Sequence, residues 1–189
     1  KVDEEGVTFK SHIDGSMHRF TPESAIAIQE KLGADIIMAF DECSTPNDPA
    51  YNRKAMDRTH KWLERCIKAK TRNDQALFGI IQGGVDSEMR RESTQFVSSM
   101  NLPGIAIGGL SVGESKEEMY STLDVLYPYL PADKPHYLMG VGTPEDILNG
   151  VMRGVDIFDC VLPTRLARHQ AAFTHDGRRI RPSFAFGGG

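Results

Sequence analysis

Val155-Asp156-Ile157-Phe158-Asp159-Cys160-Val161-Leu162-Pro163-Thr164-Arg165 is the stretch on which the fold turns. It begins as a strand, because Val155, Ile157 and Val161 are β-branched and Phe158 is aromatic. A carboxylate, Asp159, comes near its end. Pro163 then stops the ladder, and Arg165 and Arg168 follow. A carboxylate among apolar neighbours is costly to ionise unless it has a partner. At the exit of a core strand it is a candidate for chemistry. A capping or salt-bridging aspartate is the plainer reading.

Four upstream stretches share this layout. Residues 34–40 form a near-continuous apolar run, which predicts a strand buried on both faces, and end at Asp41-Glu42-Cys43. Residues 76–81 run into Gln82-Gly83-Gly84, residues 105–107 into Gly108-Gly109-Leu110, and residues 136–139 into Gly140-Val141-Gly142. Helical patterns lie between them. Thr21-Pro22 opens a helix whose apolar face is Ala25, Ile26, Ile28 and Leu32 and whose cap is Gly33. A second runs from about Asn52 to Lys70, with Met56, Trp62, Leu63, Cys66 and Ile67 as a core stripe. Others are predicted over residues 87–100, from the Ser115–Glu118 capping box, and from Thr143-Pro144 to Gly154. Asp14-Gly15 and Asp176-Gly177 mark two hairpins, and residues 186–189 read as a frayed end.

Five strands alternating with helices mean parallel strands with helical crossovers. The unusual residues all fall at C-terminal strand ends. Only a barrel points five successive strand ends at one mouth; an open doubly wound sheet concentrates them at one switch point. No G-x-G-x-x-G follows a strand. The expectation is an α/β fold of the (β/α)8 TIM-barrel type. Such a barrel usually needs about 250 residues, so the 189 residues are read as one catalytic-barrel portion. It would cover about five β/α units plus hairpin insertions, with N-terminal strands not present.

Composition limits the function. The chain is 40% hydrophobic and 25% charged, and no apolar run approaches the ~20 residues of a membrane helix. Residues 1–5 carry no signal-peptide pattern. Cys43, Cys66 and Cys160 are odd in number and far apart, which fits a reducing cytoplasm and shows no zinc spacing. The net charge of −4 argues against a wholly basic nucleic-acid binder. From Thr164 onward, however, five arginines face one acid, and a local basic tail can meet phosphates or simply be solvated.

The strand ends offer matched chemistry. Asp41 can accept two hydrogen bonds from a planar donor edge, and Gln82 brings an amide that donates and accepts. Gly108-Gly109 lets backbone approach a flat ligand, and Met139 packs well on a ring. Together they describe a slot for a guanine-like base. Singly, they read as a turn, a core methionine and a capping amide. A carboxylate such as Asp159 beside a glycosidic carbon can attack it and hold the sugar covalently. The second carboxyl that such chemistry wants is not evident, since Asp156 falls on the opposite face of the strand.

These residues resemble the queuine/preQ1 tRNA-guanine transglycosylase family, most closely its bacterial branch. The motifs are residues 6–15, Met38-Ala39-Phe40-Asp41-Glu42-Cys43, Gly79-Ile80-Ile81-Gln82-Gly83-Gly84, residues 108–114, residues 136–142 and residues 158–165. The resemblance implies a pentosyltransferase that exchanges the wobble guanine of tRNA for a 7-deazaguanine, preQ1 or queuine. It implies Asp159 as nucleophile on ribose C1′, Asp41 on the guanine edge, and Gln82 with the Gly109 amide at O6. Leu110 would offer its carbonyl to the preQ1 aminomethyl group, Met139 would cover the ring, and Arg165 and Arg168 would contact the anticodon-loop backbone. It further implies a homodimer, and a zinc whose ligands, like the general acid/base, lie outside this chain. His169-Gln170 stands where bacterial members usually have Asn-Gly. A non-catalytic partner subunit or tRNA-binding module, an archaeal-type transglycosylase and an unrelated barrel glycosidase are the competing readings.

Overall fold

The computed structural model describes residues 1–44, 48–175 and 179–180. It opens with strands β1 (Val2–Asp3), β2 (Gly6–Lys10) and β3 (Met17–Phe20), then helix α1 (Pro22–Leu32). The α/β succession follows: β4 (Ile36–Met38), α2 (Pro49–Ala69), β5 (Ala76–Ile81), α3 (Ser87–Ser99), β6 (Gly104–Ile107) and α4 (Lys116–Leu126). After a short 3-10 turn come β7 (His136–Leu138), α5 (Pro144–Val151), β8 (Ile157–Phe158), α6 (Leu162–Arg168), β9 (Ala172–Phe173) and β10 (Arg179–Ile180).

The central sheet has five parallel strands in the order β4-β5-β6-β7-β8. Strand order equals chain order, so the sheet is wound in one direction only. A doubly wound sheet reverses direction at a switch point, and none exists among the described strands. Every C-terminal strand end therefore looks out on the same side.

Local chemistry sets most of the helix boundaries. Thr21 accepts from the Ser24 amide at 3.3 Å while its own amide donates to Ser24 Oγ at 2.8 Å. Gly33 closes α1 at φ +74°, a conformation that costs a side chain energy and glycine almost nothing. Ser115 and Glu118 form the reciprocal box that opens α4. Such caps contribute about 1 kcal/mol each. The core lies between sheet and helices: Leu77, Ile81, Ile105, Ile107 and Leu138 pack with Leu63, Cys66, Val97, Leu123 and Leu126. Trp62 is fully buried, stacks on Phe40 at 4.8 Å, and donates its indole N–H to Glu4 O at 2.8 Å. That bond ties the N-terminal hairpin to α2. Among the described residues no helix is long and apolar enough to cross a membrane.

Several expectations change. Residues 34–40 do not form a strand buried on both faces: β4 is an edge strand of three residues, and Ile36 is 45% exposed. Of the four residues expected on the apolar face of α1, only Ile26 is fully buried, while Leu32 is 76% exposed. Helix α2 begins at Pro49, three residues before the predicted start, because Asp48 caps it by accepting from the Tyr51 amide at 3.0 Å. The first hairpin turns through residues 11–16, closed by a bond from the Ser11 amide to Ser16 O, and carries the unforeseen strand β1 along its other edge. Strand β8 ends at Phe158, and Val161 and Pro163 belong to the start of α6. Pro163 thus starts a helix, where its missing N–H is harmless, and does not stop a ladder. The second hairpin forms through β9 and β10, but its Asp176-Gly177 turn and residues 186–189 lie outside the described residues.

Candidate active site

Strands β5 and β6 are buried on both faces and carry the best-defined part of the site at their C-terminal ends. Gln82, 1% exposed, directly follows β5. Its Nε2 donates to Asp41 Oδ2 at 2.7 Å, across from the end of β4. Its Oε1 is buried and, among the described residues, accepts no hydrogen bond. A buried acceptor without a partner is costly, on the order of 1–3 kcal/mol, so this amide is poised for a donor. Gly109 completes the corner at φ +65°, where a Cβ would come within 2.3 Å of Gln82 Oε1. Burial pushes the Asp41 carboxyl above its ordinary range, and the hydrogen bond from Gln82 partly opposes this.

The backbone around Asp41 is held by its neighbour. Glu42 is buried and its carboxylate accepts from Arg58 and from the Tyr51 hydroxyl, while its amide donates to Thr59 Oγ1 at 3.0 Å. All three partners sit on α2. Cys43 is exposed as a residue, but the partial desolvation of its sulfur and then the nearby Asp41 carboxylate raise the thiol pKa, while Arg90 and the Gly109 amide pull it down.

Asp159 lies one residue beyond β8 and is exposed. Its Oδ1 accepts from the Tyr137 hydroxyl at 2.7 Å and from the Gly140 amide at 2.6 Å. Burial, and then the bond to Asp159, push the Tyr137 pKa up to about 12, so the phenol stays a donor. Two donors on one oxygen orient the carboxylate and leave Oδ2 clear of them. Asp156 is turned to other work, accepting from the His136 amide at 2.8 Å at the opposite end of β7.

The structure therefore gathers Asp41, Gln82 and Gly109 into one group and places Asp159 with Tyr137 and Gly140 in another. Both groups stand at C-terminal strand ends. Leu110 is buried, and Met139 is half-buried in the segment between Tyr137 and Gly140. Arg165 lines a cavity of about 380 Å³ with Glu114, Lys116 and Asp146, whereas Arg168 is simply exposed on α6. Among the described residues no three His, Cys, Asp or Glu side chains converge as a metal would require, so they do not fit a zinc ion.

The family model described as queuine tRNA-ribosyltransferase matches residues 1–183. The chain belongs to the queuine tRNA-ribosyltransferase family. Among similar relatives, the queuine tRNA-ribosyltransferase of Herpetosiphon aurantiacus is 69% identical over 179 residues, which cover 94% of this chain and 46% of that protein. That of Halothermothrix orenii is 58% identical, covering 94% of this chain and 48% of its own length. The chain thus spans about half the length of the curated relatives it matches.

Sequence reasoning missed four residues that shape this family member's site: Glu42, Tyr137, Ser93 and Arg90. Ser93 Oγ accepts from the Gln82 amide at 3.1 Å and meets His60 Nε2 at 3.0 Å. Arg90 is fully buried among the strand-end carbonyls. For residues 87–100 the sequence pattern draws attention to the apolar side, Met89, Phe96, Val97 and Met100, and gives Arg90 and Ser93 no role. The signal available was position: Arg90 is one residue from Met89, the buried apolar residue of the same turn.

Proposed function

We propose that the protein carrying this chain is a tRNA-guanine transglycosylase. It exchanges the wobble guanine of tRNA for a 7-deazaguanine, preQ1 or queuine, within a (β/α)8 barrel of which these five strands are one arc. The observation that carries the reading is the Asp41–Gln82–Gly109 corner. A partly buried carboxylate, a buried amide with an unpartnered oxygen and a glycine amide converge at the strand ends. Guanine presents an edge that these groups can meet: N1–H and an exocyclic amine for the carboxylate, and O6 for the second Gln82 Nε2–H and the Gly109 N–H, with the unpartnered Gln82 oxygen left to a further donor.

In this reading Asp159 attacks C1′ and holds the ribose as an ester while the base leaves. A 7-deazaguanine then enters the same slot and reverses the step, which gives ping-pong kinetics. Leu110 offers its carbonyl to an aminomethyl group, Met139 covers the ring, and Arg165 and Arg168 take the anticodon-loop backbone. The target base must leave its stack, at a cost of a few kcal/mol that a loop lowers. The proposal extends to a cytoplasmic homodimer. Zinc is implied by the family resemblance alone, and no step of the exchange runs through it.

The test is calorimetric binding of guanine and preQ1 to this chain, once a thermal melt shows it folded, with Asp41→Ala beside it. Binding that Asp41→Ala removes supports the slot, and exchange into tRNA by the full-length protein then supports the activity. A full-length protein that folds yet binds neither base overturns the reading.

A further inference from the structure

Arg90 is 0% exposed, and among the described residues no carboxylate pairs with it. Its guanidinium ends only on backbone carbonyls: Nε donates to Gly84 O at 2.6 Å, Nη1 to Gly108 O at 2.8 Å and Ile81 O at 3.3 Å, and Nη2 to Gly109 O at 3.1 Å. Burying a cation without an anion costs several kcal/mol even in a relaxed protein. A neutral amide has only two N–H groups and could reach at most half of these four carbonyls. The strap therefore brings a positive charge directly against the strand-end peptides.

The carbonyl of Gly108 and the N–H of Gly109 belong to one peptide unit. A cationic donor on the carbonyl polarises the unit and makes the N–H a stronger donor. That unit is clamped from two sides, since a Cβ on Gly109 would lie 2.3 Å from Gln82 Oε1 and 3.3 Å from Arg90 Nη2. We infer that Arg90 is a positioning residue for departure of the base: it fixes the Gly108–Gly109 peptide and strengthens Gly109 N–H donation to a base that is becoming an anion. The inference rests on the exchange reading above. In that step a bond forms between Asp159 and C1′ and the C1′–N9 bond breaks. The electron pair leaves with the base, so one negative charge passes from Asp159 to the purine and spreads to O6. Water afterwards supplies the proton to N9. A fixed cation one peptide behind O6 stabilises the anion more than the neutral base, which is differential binding of the transition state. Burial draws the Arg90 pKa down to about 10, which still leaves it charged at neutral pH.

The experiment uses the full-length protein with Arg90→Gln and Arg90→Lys, assayed for guanine exchange into tRNA and, by calorimetry, for guanine binding. Arg90→Gln loses the charge and at least two of the four hydrogen bonds; its kcat is expected to fall about 100-fold, the scale of one oxyanion-hole donor, with guanine affinity within about threefold. Arg90→Lys keeps the charge and is expected to stay within about tenfold of wild type. Arg90→Ala adds a second readout: methylguanidinium at millimolar concentration restores exchange, and neutral methylurea, which fills the same space, does not. Equal activity in the Gln and Lys variants, or equal rescue by both additives, overturns the inference in favour of a strap. So does failure of every variant to fold. A wild-type protein that neither exchanges nor binds guanine overturns the exchange reading instead.

Discussion

The two outer ends of the central sheet are built differently. At the β4–β6 end, Asp41 and Gln82 meet inside a shell braced from behind: α2 pins Glu42 through Arg58, Tyr51 and Thr59, and α3 pins Gln82 and Gly109 through Ser93 and Arg90. At the β8 end, Asp159 stands exposed beyond a strand of two residues, held by one phenol and one amide. The first end is a corner braced by two helices whose polar groups are largely withdrawn from solvent. The second is an accessible carboxylate with a fixed direction. On the proposed exchange reading, recognition and attack fall on different strands, and each should be open to damage without the other.

The sharpest way to break this comparison is Asp159→Ala in the full-length protein. Exchange should fall about 10⁴-fold or more, as for loss of a nucleophile, while guanine binding by calorimetry changes little. If binding collapsed as well, the two ends would not be separate. Asp41→Ala should do the opposite, weakening guanine about 10²- to 10⁴-fold, because two charge-assisted hydrogen bonds are lost at roughly 1.5–3 kcal/mol each. Gly109→Ala puts a Cβ against Gln82 at a positive φ, and about tenfold weaker guanine binding is expected from strain of roughly 1–3 kcal/mol; unchanged affinity would mean that the corner yields instead of resisting. Tyr137→Phe removes one of the two donors to Asp159, and a fall in kcat of about threefold to tenfold at unchanged guanine affinity follows from a bond worth about 1 kcal/mol.

The smallest effect concerns pH. The free Asp41 carboxyl has its pKa raised by burial, and only the ionised form accepts both donors of the guanine edge. Guanine affinity should therefore rise with pH through that raised pKa and level off above it, a profile that Asp41→Asn should flatten. For folding, the sign is reversed. A raised folded-state pKa contributes stability that is complete below the unfolded pKa and is lost as pH rises through the folded one. Parallel melts of wild type and Asp41→Asn along the same series separate the two effects.

What could be read from the chain was what local physics decides. Thr21, Ser115 and Thr143 announce their helices because a cap is a contact within one turn. The strand ends announced Asp41, Gln82, Gly109 and Asp159 because an apolar run that stops at a polar residue is itself a local pattern. Exposure was not legible at the edges. Residues 34–40 have a buried strand's composition, yet β4 lacks a neighbour on one side within the described chain. Val161 and Pro163 suit a strand exit and a helix start equally, and only the bond from the Arg165 amide to Val161 O decides. Arg90 was hidden for a related reason: its partners are backbone carbonyls, which every sequence has, and only the fold shows that they are gathered around it.

The one-directional order of the sheet bears on how the chain is made. Each of strands β5 to β8 pairs with the strand synthesised just before it. None of these four has to wait for a partner still to be translated, and every new ladder closes over a single crossover. Contacts of short sequence separation form early and fast, and domains assemble from the N-terminus as they emerge from the ribosome. The nascent sheet can grow strand by strand. The Asp41–Gln82–Gly109 corner, which needs only β4 to β6 and the helices between them, is then complete before the segment carrying Asp159 has been translated.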